Sequence, residues 1–128
     1  MQVRDAMSAH VLVVGPHQTL VEAARAMLQR RVGAVIVVDG DLAGPGILTE
    51  RDVMRAVAEG VDCASTLVSE YMTYDARTAS ASWDLDSAAG EMCRGNFRHL
   101  IVVEGDQMVG VVSMRDIVGA RVRKAAGV

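Results

Sequence analysis

The chain repeats itself. Val3 meets Val68, Met7 meets Met72 and Leu20 meets Leu85, each 65 positions on. At the same offset, Ala23, Ala24 and Met27 fall on Ala88, Ala89 and Met92, and Ile36-Val37-Val38 on Ile101-Val102-Val103. Beyond Gly40-Asp41 and Gly105-Asp106 the offset becomes 64. Gly46 then answers Gly110, Thr49 answers Ser113, and Arg51-Asp52 answers Arg115-Asp116. The slip of one residue lies in Ala43-Gly44-Pro45-Gly46, a turn, where changes of length are tolerated. Matches that keep their order along a chain of 128 residues indicate two copies of one unit, read as repeats 1–64 and 65–128.

Each copy shows the same local pattern. Thr19-Leu-Val-Glu22 has the form of a capping box. Leu20, Ala23, Ala24, Met27 and Leu28 follow as one apolar helical stripe, closed by Gly33. In the second copy Asp84 is the candidate cap, with Trp83 as a hydrophobic staple before it. The stripe there is Leu85, Ala88, Ala89, Met92 and Cys93. Ala34–Val38 and Leu100–Val103 read as buried strands. Gly46–Leu48 and Met108–Val112 read as second strands, and Thr49 and Ser113 open second helices. The unit is helix, strand, strand, helix, with extended lead-ins at Val11–Val14 and Ala76–Ser80. Two strands and two helices cannot cover both sheet faces. The duplication therefore predicts an α+β pseudo-two-fold pair with two related clefts between the copies.

Composition excludes several classes. Thirteen Lys and Arg against 16 Asp and Glu leave a formal charge of −3, without the basic excess of a nucleic-acid binder. Aromatic residues are 3%, too few for a base-stacking platform. Cys63 and Cys93 have neither zinc nor disulfide spacing and read as small buried apolar residues in a reducing compartment. No apolar run approaches the roughly 20 residues of a membrane span, and the N-terminus lacks a signal-peptide pattern. A cytoplasmic protein is expected. His10 and His17 lack partners at ligand spacing, so no metal site is expected. No nucleophile–base pair or phosphate-cradling loop is visible, and the expectation is a protein that is not an enzyme, with no catalytic residues and no required cofactor.

The repeated motifs resemble a tandem pair of CBS domains, a Bateman module. The resemblance rests on Val3-Arg-Asp-Ala-Met7-Ser8 with Val68-Ser-Glu-Tyr-Met72-Thr73, and on Thr19-Leu-Val-Glu-Ala23-Ala24. It rests further on Gly46-Ile-Leu-Thr49-Glu-Arg-Asp52-Val with Gly110-Val-Val-Ser113-Met-Arg-Asp116-Ile. The pattern departs where Pro is usual, at Ile36 and Ile101. The resemblance implies a stand-alone regulatory module for an adenosine-containing ligand: AMP, ADP, ATP, a dinucleotide or S-adenosylmethionine. Asp52 and Asp116 would accept hydrogen bonds from the ribose hydroxyls, with Thr49 and Ser113 facing ribose or phosphate. The resemblance also suggests a disc-like homodimer, which would relay the ligand signal to a protein partner.

The same residues have a plainer reading. Thr-x-x-Asp and Ser-x-x-Asp at a helix start are ordinary caps. Arg51 and Arg115 are phosphate candidates or surface charge. Arg98-His99 precedes the strand of the second copy where the first has Gly33-Ala34, so phosphate recognition is expected to be unequal between the copies. The competing function is a ligand-free interaction protein of the same fold acting through its dimer surface.

Overall fold

The computed structural model describes residues 1–127; Val128, the last residue of the second repeat as read, lies outside the described residues. Among the described residues, four α-helices, two short 3-10 helices and two three-stranded sheets make an α+β protein.

Two compact units are present, and they do not follow the repeat boundaries. The central unit is Leu12–Ala76; the terminal unit joins Met1–Val11 to the described residues from Arg77 onward. In the central unit β1 (Val13–Val14) runs parallel to β2 (Ala34–Val37), which pairs antiparallel with β3 (Gly46–Thr49). α1 (Leu20–Arg30) and α2 (Glu50–Ala58) accompany this sheet. The terminal unit matches it: β4 (Thr78–Ser80) is parallel to β5 (His99–Glu104), which is antiparallel to β6 (Gln107–Ser113). Its helices are α3 (Leu85–Gly95) and α4 (Met114–Ala125).

The exchanged lead-ins explain the unit boundaries. At helix starts the first backbone N–H groups lack intrahelical partners. The Leu20 N–H at the start of α1 donates to Thr66 O at 2.9 Å, and the Leu85 N–H at the start of α3 donates to Met1 O at 3.1 Å. Further along, Thr73 pairs with Ile47 of β3, and Ser8 pairs with Val111 of β6. Each segment that opens a repeat thus completes the sheet carried by the other.

Each sheet packs against its own helices over a separate core. Leu20, Ala23, Met27, Val35, Val37 and Leu48 are buried in the central one. Leu85, Ala88, Met92, Leu100, Val102 and Ile117 are buried in the terminal one, with Trp83 against them as the expected staple. Ile36 and Ile101, at the usual Pro positions, are fully buried within β2 and β5. Their N–H groups donate to Leu12 O at 2.9 Å and Arg77 O at 3.2 Å. Proline has no N–H and would forgo that bond, so isoleucine ties each lead-in to its sheet.

Several expectations need correction. The first helix ends before Gly33: Arg31 takes the left-handed conformation at φ 56°, as Asn96 does at φ 55° after α3. Leu28 is 80% exposed, and Cys93 is exposed rather than buried. Both lie eight residues past the start of their stripe, a rotation of about 80° at 3.6 residues per turn, which carries them off the core face. Cys63 is only half-buried.

Candidate functional site

Each strand-to-helix junction is built by a reciprocal cap. In the central unit Thr49 has extended backbone, so its hydroxyl can accept from the Asp52 N–H at 3.3 Å. Asp52 returns the interaction: Oδ2 accepts from the Thr49 N–H at 2.9 Å and its hydroxyl at 3.1 Å. In the terminal unit Asp116 Oδ2 accepts from the Ser113 N–H at 2.9 Å, and the Ser113 hydroxyl accepts from the Asp116 N–H at 3.0 Å. The capping reading is therefore realised at both junctions. One oxygen of each carboxylate, Oδ2, is committed to the cap, and the other takes no part in it.

The strand paired with the one before each helix brings further residues to each junction. Ala34 pairs with Thr49 across β2 and β3, and His99 pairs with Ser113 across β5 and β6. The first N–H of α2 donates to Gly33 O at 2.9 Å, and that of α4 donates to Arg98 O at 2.9 Å. Arg98 and His99 thus stand at the same junction as Ser113 and Asp116, and Gly33 and Ala34 hold the equivalent places in the central unit. Arg98 is exposed and His99 half-buried. Arg51 and Arg115 are exposed in the first turns of α2 and α4. A cation there opposes the helix dipole, a cost that a bound anion would remove.

Glycine at the motif start has a steric cause. A Cβ on Gly110 would lie 2.5 Å from Ser8 O, and one on Gly46 would lie 2.5 Å from Met72 Cε and 3.0 Å from Thr73 O. These lead-ins run so close to the strand that a side chain has no room.

The central junction carries a cluster that sequence reading missed. Arg55 Nη2 lies 3.6 Å from Asp52 Oδ1 and donates to Tyr71 O at 3.3 Å. The guanidinium carbon sits 4.9 Å from the centre of the Tyr71 ring, within cation–π range. The Tyr71 hydroxyl donates to Glu59 Oε1 at 2.5 Å, and this bond, with burial and the Glu59 charge, raises the Tyr71 pKa above its usual value. Spacings of three and four residues put Asp52 and Arg55 of α2 and its C-cap Glu59 on one side of the helix. Nothing local says that Tyr71 joins them.

No group of three or more His, Cys, Asp or Glu among the described residues could hold a metal ion. No helix among them is long and apolar enough to cross a membrane.

A family model fits these two junctions and their lead-ins: the CBS domain, over residues 3–59 and again over 68–123. The chain belongs to the CBS domain family. A CBS domain-containing protein of Bacillus subtilis is 36% identical over 90% of this chain and 81% of its own length. Among solved structures, a CBS-domain-containing protein of Agrobacterium tumefaciens is 35% identical with a TM-score of 0.83, covering 93% of this chain and 90% of its own. A CBS domain protein of Pyrobaculum aerophilum complexed with AMP is 27% identical with a TM-score of 0.80, over 91% and 89% of the two chains. A CBS domain pair complexed with 5′-methylthioadenosine and S-adenosyl-L-methionine is 25% identical with a TM-score of 0.85, over 97% and 98%.

Proposed function

We propose that this CBS pair is a regulatory module that binds an adenosine-containing ligand at its two strand-to-helix junctions and passes the signal to a partner protein. The observation that carries this is the repeated Thr49/Asp52 and Ser113/Asp116 arrangement, in which each cap uses only one carboxylate oxygen and leaves the other out of it. Such an oxygen suits a ribose hydroxyl donor. The AMP and S-adenosyl-L-methionine complexes of related pairs support the ligand class. In this reading Asp52 and Asp116 accept from ribose, Thr49 and Ser113 face ribose or phosphate, and Arg51 and Arg115 lie near phosphate. Arg98 and His99 add a phosphate contact in the terminal unit only. The module does no catalysis and needs no cofactor.

Thermal-shift measurements against AMP, ADP, ATP, adenosine dinucleotides and S-adenosylmethionine test it. A ligand at 100 times its Kd adds about 2.7 kcal/mol of stability. At least one of these ligands should raise Tm in a concentration-dependent way; no shift with any would refute the reading. Arg98→Ala should weaken AMP at one class of site and spare the other.

A second reading is favoured by Met54, Val57, Val118 and Val122, which are 55–65% exposed on α2 and α4. It makes the chain a ligand-free interaction protein that works through a homodimer surface. A homodimer fits both readings, because exposed apolar side chains on helices commonly meet a copy of themselves. Light scattering should return a dimer mass; a monomer at micromolar concentration would remove that part of the account.

A further inference from the structure

The two motif carboxylates differ in what stands beside the oxygen that the cap does not use. At Asp52, Oδ2 is taken by the Thr49 N–H and hydroxyl, while Oδ1 faces Arg55 Nη2 at 3.6 Å. Arg55 is held in place by the Tyr71 carbonyl at 3.3 Å and by the Tyr71 ring at 4.9 Å, and that ring is fixed in turn by Glu59. The side chain is still 54% exposed, so its charge is available to a ligand. At Asp116 the equivalent of Arg55 is Gly119, and the equivalents of Tyr71 and Glu59 are Ala6 and Arg123. None of these can repeat the arrangement.

We propose that Arg55 makes the central junction selective for adenosine ligands that carry a phosphate on the 2′ or 3′ oxygen of ribose, a preference the terminal junction lacks. This rests on the assignment of Asp52 to ribose. A ribose edge that donates to Asp52 Oδ1 comes within a few ångströms of the guanidinium. A bare diol must share the carboxylate with Arg55 and gains nothing from the cation. A phosphate on that edge pairs with the guanidinium while the neighbouring hydroxyl still donates to Oδ1. Guanidinium suits this role because it presents several donors in one plane and stays charged. The fixed Tyr71 ring reduces the side-chain freedom lost on binding.

Calorimetry with adenosine and adenosine 3′-monophosphate on single-site variants tests the proposal. With Asp116→Ala silencing the terminal junction, the 3′-phosphate should bind about tenfold more tightly than adenosine, the low end for a charged hydrogen bond because Arg55 is half exposed. Arg55→Gln should abolish that ratio and Arg55→Lys should restore part of it. With Asp52→Ala, the remaining terminal junction should show no such ratio. A ratio near one in the Asp116→Ala protein, or one unaffected by Arg55→Gln, overturns the proposal. So does a parallel loss of both ligands in Arg55→Gln, which marks a structural role. Failure of the ribose assignment looks different: the Asp52→Ala/Asp116→Ala protein would bind adenosine as well as the unaltered chain does.

Discussion

Gly110→Ala should destabilise the protein more than Gly46→Ala does. A Cβ at Gly110 would stand 2.5 Å from Ser8 O, where ordinary contact begins near 3.4 Å. The obstacle is backbone. Ser8 is bonded both ways to Val111, its N–H donating at 2.9 Å and its carbonyl accepting at 3.0 Å. Relief must therefore stretch or break that pair. Overpacking of this kind costs about 1–3 kcal/mol, the same scale as losing two backbone bonds at about 0.5–1.5 kcal/mol each. Alanine returns about 0.4–1 kcal/mol by restricting the unfolded chain. The net loss at Gly110 is then about 1–2 kcal/mol. At Gly46 the close atom is Met72 Cε, the end of a flexible side chain, with Thr73 O at 3.0 Å. That side chain can move, and the net loss there should stay under about 1 kcal/mol. Urea unfolding followed by circular dichroism measures both. In thermal melts Gly110→Ala should lower Tm by roughly 3–8 °C. Gly110→Ala as stable as the unaltered protein, or Gly46→Ala the costlier change, would refute the close-approach argument.

Ser113→Ala removes the acceptor of the Asp116 N–H and should cost about 0.5–2 kcal/mol in urea unfolding; no loss would show that the cap is redundant. The Tyr71 pKa is raised above its ordinary value of 10.0 by the hydrogen bond to Glu59. The stability this contributes is complete below that value and fades as pH rises through the higher folded-state value. Tyr71→Phe should therefore flatten the decline in urea midpoint above about pH 10, and an unchanged slope would remove Tyr71 as its source. The Glu22 pKa is lowered, first by the Thr19 N–H and then by its hydroxyl. Its contribution is present above the usual carboxylate value and lost on acidification through the lowered one. Glu22→Gln should make the urea midpoint less sensitive to pH between about 5 and 3; equal sensitivity would count against it.

Much of the local structure is legible in the sequence because its causes are local. The caps at Thr19, Thr49, Asp84 and Ser113 stand where the spacing places them. The core positions Leu20, Ala23 and Met27, with Leu85, Ala88 and Met92, follow the helical period. Leu28 and Cys93 depart from the buried stripe for a geometric reason, since an ideal helix turns them toward its edge. Exchange of the lead-ins was not legible. Ser8 and Thr73 bridge strands about 100 and 26 residues away, and a short extended segment carries no local sign of its partner. The Arg55–Tyr71 contact was hidden for the same reason, as it spans 16 residues and joins a helix to a lead-in. At the junctions the residue types were legible, and the Ser113–His99 and Thr49–Ala34 pairings show that His99 and Ala34 hold equivalent places in the two copies.

Titration of AMP into the unaltered protein and into Asp52→Ala/Asp116→Ala, followed by calorimetry, tests the central claim most directly. Asp→Asn at both positions serves as a variant that keeps side-chain size. The account expects saturable binding to the unaltered chain, and a loss of that heat in the double alanine variant while its circular dichroism stays folded. AMP bound with unchanged affinity by the folded double alanine variant would contradict it.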